Sequence, residues 1–90
     1  MNITILFPLY NEDIKIAKKA LDSILRQSFS DFLIYITLDN PDNNELELLV
    51  KKYQLKDSRI IFRKNKRNRG LAETLNLMLM NVTTKYVARM

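Results

Sequence analysis

An α/β fold built on a parallel sheet is the architecture this sequence predicts, and three observations predict it. Apolar, β-branched segments alternate with segments of helical periodicity, strand then helix three times over and then a strand. The connections between them are short, so consecutive strands must be joined by right-handed crossovers. The first two strand segments are near-continuous apolar runs, not alternating ones, as strands buried on both faces require.

The chain is organised around Ile3 to Asn11, reading I-T-I-L-F-P-L-Y-N. Its first half is a buried strand, and Pro8 is expected to stop it because proline has no N–H to give a ladder. Leu9 to Asp13 then form a short turn. Ile14, Ala17, Leu21, Ile24 and Leu25 recur at helical spacing, with Asn11 or Asp13 as cap and Lys15, Lys18, Lys19 and Arg26 on the wet face. Asp22 and Arg26, four apart, are placed to pair. The helix should end between Gln27 and Ser30.

Phe32 to Leu38 is the second strand, and Asp39-Asn40-Pro41-Asp42-Asn43 cannot continue it. Asp42 or Asn43 caps a second helix whose buried stripe is Leu46, Leu49, Val50 and Tyr53. Glu45 and Glu47 fall in its first turn, and Lys51 and Lys52 towards its end, where the helix dipole favours each sign. Ile60 to Phe62 is a short third strand. A basic loop, Lys64 to Gly70, leads to a third helix with Leu71, Leu75, Met78, Leu79 and Val82 on one side, and Leu77 and Met80 outside that stripe. Tyr86, Val87 and Ala88 begin a fourth strand. It ends the chain without cap or tail, which reads as a domain cut short.

Ninety residues make one small domain, and 47% hydrophobic residues suffice for a packed core. Fifteen Lys and Arg against ten Asp and Glu leave a formal charge of +5, which favours an anionic partner. With no cysteine and no histidine, disulfides, thiolate metal sites and Ser-His-Asp or Cys-His catalysis are excluded within these residues. No targeting pattern or bilayer-length apolar run is present, so the expected compartment is the cytoplasm.

Three loops leave the C-terminal edge of the predicted sheet. They carry Tyr10-Asn11-Glu12, Asp39-Asn40 and the basic run ending Arg69-Gly70, which brings an aromatic face, a carboxylate and a cation to one rim. A base can stack on the ring, the carboxylate can accept from a ring N–H, and the guanidinium can hold a phosphate. Taken singly, each has a structural explanation: an aromatic covering a sheet edge, an acid capping a turn. Gly70, the only glycine, lets the chain turn into the third helix, whose N-terminus favours an anion. The G-x-G-x-x-G and G-x-x-x-x-G-K signatures are both missing.

F-P-L-Y-N-E at Phe7–Glu12, S-I-L-R-Q-S-F at Ser23–Phe29, N-R-G-L-A at Asn68–Ala72, Asn76 and the closing K-Y-V-A-R-M together resemble the start of family 2 glycosyltransferases. The resemblance covers the whole chain. It implies the nucleotide-binding half of a GT-A domain: a Rossmann-like three-layer α/β/α arrangement with strand order 3-2-1-4. It further implies that Tyr10 stacks on or flanks the base and that Asp39 accepts a hydrogen bond from the base's ring N–H. Arg69 would approach base or diphosphate, with Pro8 and Asn11 shaping the first loop and Glu12 beside them in the nucleotide-binding set. The family's usual Asp-Asp-Gly-Ser reads Leu38-Asp39-Asn40-Pro41 here, so the second acid is kept and the first is lost.

By the same resemblance, the parent protein transfers a sugar from a nucleoside-diphosphate donor to an acceptor glycan or lipid-linked glycan. Its divalent cation, Mg or Mn, would be held by a D-x-D motif expected just after Met90. These residues alone would then supply no catalytic residue and no metal site, and would transfer no sugar. Two other classes stay open: a non-catalytic nucleotide-binding α/β module and a basic nucleic-acid-binding domain. The Tyr86 to Met90 strand, expected at an open sheet edge, predicts self-association.

Overall fold

The two apolar runs lie side by side: β1 (Ile3–Leu9) is parallel to β2 (Phe32–Leu38), with Ile3 opposite Phe32 and Leu9 opposite Leu38. The structure, a computed structural model, describes residues 2–27 and 31–90. The remaining elements follow as α1 (Ile14–Leu25), α2 (Asn44–Lys56), β3 (Ile60–Lys64), α3 (Leu71–Met80) and β4 (Tyr86–Arg89). The sheet runs β3-β2-β1-β4 and every pairing in it is parallel. The predicted α/β class and the strand order implied by the resemblance are both found.

Odd-numbered residues of β1 and even-numbered residues of β2 face one side. There Phe7, Leu9, Ile34, Ile36 and Leu38 pack against Ala17, Leu21 and Ile24 of α1 and Leu46 and Val50 of α2. The opposite face carries Leu6 and Tyr35, covered by Met78 with Leu75 and Val82 at its margin. Helices on both faces make three layers, as expected of a buried parallel sheet. Asp13 caps α1 by accepting from Lys15 N, and Asn43 caps α2 by accepting from Leu46 N, so each cap is one of the two candidates named for it.

Several expectations are corrected. Pro8 does not stop β1; it sits within the strand opposite Thr37. Leu6 accepts from Met90 N on the β4 side, whereas Leu9 accepts from Asp39 N on the β2 side. Pro8 shares the parity of Leu6, and the ladder with β4 ends at Leu6, so no N–H is demanded of it. α1 ends at Leu25 with Arg26 as its C-cap, short of Gln27; residues 28–30, where the predicted end also fell, lie outside the described residues. Asp22 and Arg26 do not form a carboxylate–guanidinium pair. Arg26 Nε donates to the main-chain oxygen of Asp22, and the Asp22 carboxylate takes the Tyr53 hydroxyl at 2.6 Å, tying α1 to α2.

β3 runs two residues further than Phe62, because Arg63 and Lys64 still pair with Thr37 and Leu38. As an edge strand it tolerates such charged residues. The predicted apolar side of α3 is only partly buried. Leu71 is 53% and Leu79 is 49% exposed, while Thr74 and Met78 are enclosed, since α3 lies alone on its face and covers β1 and β2 with one narrow stripe. No helix among the described residues is long and apolar enough to cross a membrane.

Candidate functional site

β1 leads to a helix on one face of the sheet and β3 to a helix on the other, so the carboxyl end of β1 lies at the switch point where open α/β sheets form a crevice. A cavity of about 370 Å³ is found there. Pro8, Leu9, Tyr10 and Glu12 line it from the first loop, Asp39 from the end of β2, and Asn68, Gly70, Leu71 and Thr74 from the turn into α3.

The first loop is held at several points. Asp39 N donates to Leu9 O at 2.7 Å, and Glu12 folds back so that its Oε1 accepts from Tyr10 N. Asn43 Nδ2 donates to Asn11 Oδ1 at 2.9 Å, linking the loop to the start of α2. These bonds fix the backbone and leave the Tyr10 ring half exposed over the cavity.

Asp39 is only 4% exposed, and its carboxylate is surrounded by donors. Asn65 Nδ2 and Arg69 N donate to Oδ1, each at 2.8 Å; Asn68 Nδ2 at 3.1 Å and Gly70 N at 2.8 Å donate to Oδ2. Burial pushes the Asp39 pKa up, but the bonds from Asn65, Arg69 N, Gly70 N and Thr74 together outweigh it and hold the carboxyl below its ordinary value of 3.8. The start of α3 does attract an anion, as its N-terminus favours, and the chain itself supplies that anion in Asp39.

Gly70 enters α3 at φ 87 and ψ 162, a conformation open in practice only to glycine. Arg69, one residue earlier, turns its side chain away from the cavity: its guanidinium meets Glu73 at 2.6 Å and borders a second groove behind the turn. That groove, of about 570 Å³, runs between β3 and α3 with Tyr35 and Thr37 on its floor and Arg63, Lys64 and Lys66 along its rim. Thr37 Oγ1 is buried without a hydrogen-bond partner among the described residues.

Of the residues named from sequence, Pro8, Tyr10, Glu12 and Asp39 meet in the cavity. Asn11 braces the loop from outside, and Arg69 contributes its main-chain N–H but not its guanidinium. Within the basic loop Lys64 to Gly70 it is the asparagine side chains, not the cationic ones, that reach the cavity's acid. Asn65 and Asn68 both donate to Asp39, and Thr74, in contact with Asn65, closes the knot. The available signal was Thr74 itself, a polar residue one turn after Gly70 on the helix face that also carries Met78. Among the described residues no three acidic, His or Cys side chains gather where they could hold a metal ion, so the residues present do not fit a cation site.

The comparisons with known proteins agree with this architecture. The family model described as glycosyl transferase family 2 matches residues 4–90. An uncharacterized glycosyltransferase of Methanocaldococcus jannaschii is 41% identical over 86 residues, 96% of this chain and 30% of that protein. A bifunctional glycosyltransferase of Dictyostelium discoideum is 38% identical over 74 residues, 79% of this chain and 10% of that protein. The chain thus spans less than a third of the length of either curated relative.

Proposed function

We infer that this chain, which belongs to glycosyl transferase family 2, holds the nucleoside diphosphate of a sugar donor in the cleft at the ends of β1 and β2. The observation that carries this reading is the pairing, across one crevice at the switch point of the sheet, of the half-exposed Tyr10 ring with the polar turn Asn68–Gly70. A base laid on Tyr10 gains a stacking face, and Pro8 and Leu9 give it an apolar floor. Glu12 and Asn11 keep that ring in place by fixing the loop. Arg69 serves through its main chain; its guanidinium reaches a diphosphate only by leaving Glu73.

Transfer of the glycosyl group to a glycan or lipid-linked acceptor is the reaction we propose for the parent protein. A cytoplasmic site, at the membrane face when the acceptor is lipid-linked, accords with that reading. The divalent cation of the reaction finds no ligand cluster among the described residues. The basic groove favours a second reading, nucleic-acid binding. Against it, two of its cations, Lys64 and Arg69, are already paired with Glu47 and Glu73.

Titration calorimetry with UDP and GDP at two salt concentrations tests the inference. Weak binding, with Kd of about 1 mM, little salt dependence and a marked loss in Tyr10→Ala are expected. No nucleotide binding, with polynucleotide binding that falls steeply with salt, would replace the first reading with the second.

A further inference from the structure

We propose a second ligand site in the groove between β3 and α3: it takes the phosphate group of a small phosphomonoester, held by Thr37, Arg63 and Lys66. The groove stands apart from the nucleotide cleft. Asn65 divides the two, lining the groove while its amide donates to Asp39 and Thr74 in the cleft wall. Thr37 lies on the groove floor, 4% exposed, and its Oγ1 is buried without a hydrogen-bond partner among the described residues. A buried hydroxyl left unpaired costs stability, so its donor and acceptor capacity is there to be used. Thr37 shares the parity of Tyr35 and faces α3, so a partner for it comes from the groove side.

The register of the sheet sets a cation beside that hydroxyl. Thr37 is paired with Arg63, and residues opposite one another on parallel strands project from the same face. Four cations and no acid line the groove. Lys64 is engaged by Glu47 and Arg69 by Glu73, whereas Arg63 and Lys66 have no hydrogen bond or ion pair from their side chains among the described residues. A phosphomonoester carries about two negative charges at neutral pH and three strong acceptor oxygens. The Arg63 fork, the Lys66 ammonium and the Thr37 hydroxyl match it in charge and in donor type. Two available cations suit one phosphate group, whereas a nucleic-acid strand is held through several. Leu77 and Met78 of α3 give the opposite wall an apolar surface for the body of the ligand.

The test follows amide chemical shifts of the ninety-residue chain as inorganic phosphate or phenyl phosphate is added at constant ionic strength. The wild type, Arg63→Gln and Thr37→Val are compared. Saturable shifts at Thr37, Arg63 and Lys66 are expected in the wild type, with phenyl phosphate the tighter ligand because its ring meets Leu77 and Met78. Arg63→Gln should weaken binding about tenfold or more, and Thr37→Val about threefold or more. Thr37→Val keeps the shape and drops only the hydroxyl, so its urea midpoint should be no lower than that of the wild type. Vesicles of phosphatidylcholine containing phosphatidic acid separate the two sources of such a group: vesicle binding that Arg63→Gln removes, with no response to phenyl phosphate, assigns the phosphate to a lipid headgroup. Equal phosphate affinity in all three proteins would overturn the site. So would shifts that never saturate, or polynucleotide binding without any response to the phosphate probes. A lower midpoint in Thr37→Val would show a hydroxyl already paired within the fold, and would overturn it too.

Discussion

Asp39 and Gly70 stand 31 residues apart, and the carboxylate of the first accepts the main-chain N–H of the second at 2.8 Å. The bond joins the end of β2 to the start of α3 and closes one wall of the cleft. Gly70 makes it at a positive φ, so the single glycine of the sequence and the single buried acid among the described residues meet at one turn.

Replacing Gly70 with alanine isolates the backbone part of that relationship. An added Cβ would meet no atom within 4 Å, so crowding plays no part. What remains is the strain of an L-residue at φ 87, expected to lower stability by about 1–3 kcal/mol in urea unfolding. Unchanged stability would show that the turn relaxes without loss.

Acid should weaken the fold through Asp39 and Asp57. The Arg59 guanidinium holds Asp57 below the ordinary carboxylate value, as the loop donors do Asp39. Both folded-state pKa values are depressed, so their contribution is fully present above about pH 4 and is lost as pH falls through the lower folded values. Unfolding free energy measured from pH 6 downwards should fall, and Asp39→Asn should flatten that fall. A variant with the wild-type slope would remove Asp39 from the linkage.

Tyr53 offers the opposite titration. Burial first, and then the bond to Asp22, push its hydroxyl up to about 12 from an ordinary 10.0. Because the folded value is raised, the stabilisation holds below about pH 10 and disappears as pH rises through about 12. Ultraviolet titration should show one late tyrosine, absent in Tyr53→Phe. That variant should lose about 0.5–1.5 kcal/mol, the net worth of one intramolecular hydrogen bond.

Self-association is predicted through β4. Its inner side pairs with β1, its outer side has no strand partner among the described residues, and Tyr86 and Val87 are exposed on it. Sedimentation at tens of micromolar should show species heavier than one chain, and Val87→Lys should reduce them by setting a charge on the edge. A clean monomer would contradict the prediction.

The strands were legible in the sequence because burial on both faces leaves apolar runs, and the helices because Ala17, Leu21 and Ile24 or Leu46 and Val50 keep one stripe. Pro8 misled because its effect depends on which neighbour its missing N–H would face, and pairing with β4 is invisible locally. Leu71 and Leu79 misled because periodicity says which side is apolar, not how much sheet lies beneath it. The cleft's loops were legible as sheet ends, and with them Tyr10, Glu12 and Asp39. The partners of Asp39 were not, since Asn65, Asn68 and the amides of Arg69 and Gly70 reach it only through the crossover that brings α3 back over β1.

Binding of a nucleoside diphosphate in the cleft between Tyr10 and the Asn68–Gly70 turn is tested most directly by amide chemical-shift mapping. On adding UDP or GDP to the isotopically labelled chain, the resonances that move should be those of Tyr10, Glu12, Asn68, Gly70, Leu71 and Thr74, which line the cavity. Shifts confined to Arg63, Lys64 and Lys66 of the basic groove, or no shifts at all at millimolar nucleotide, would contradict it.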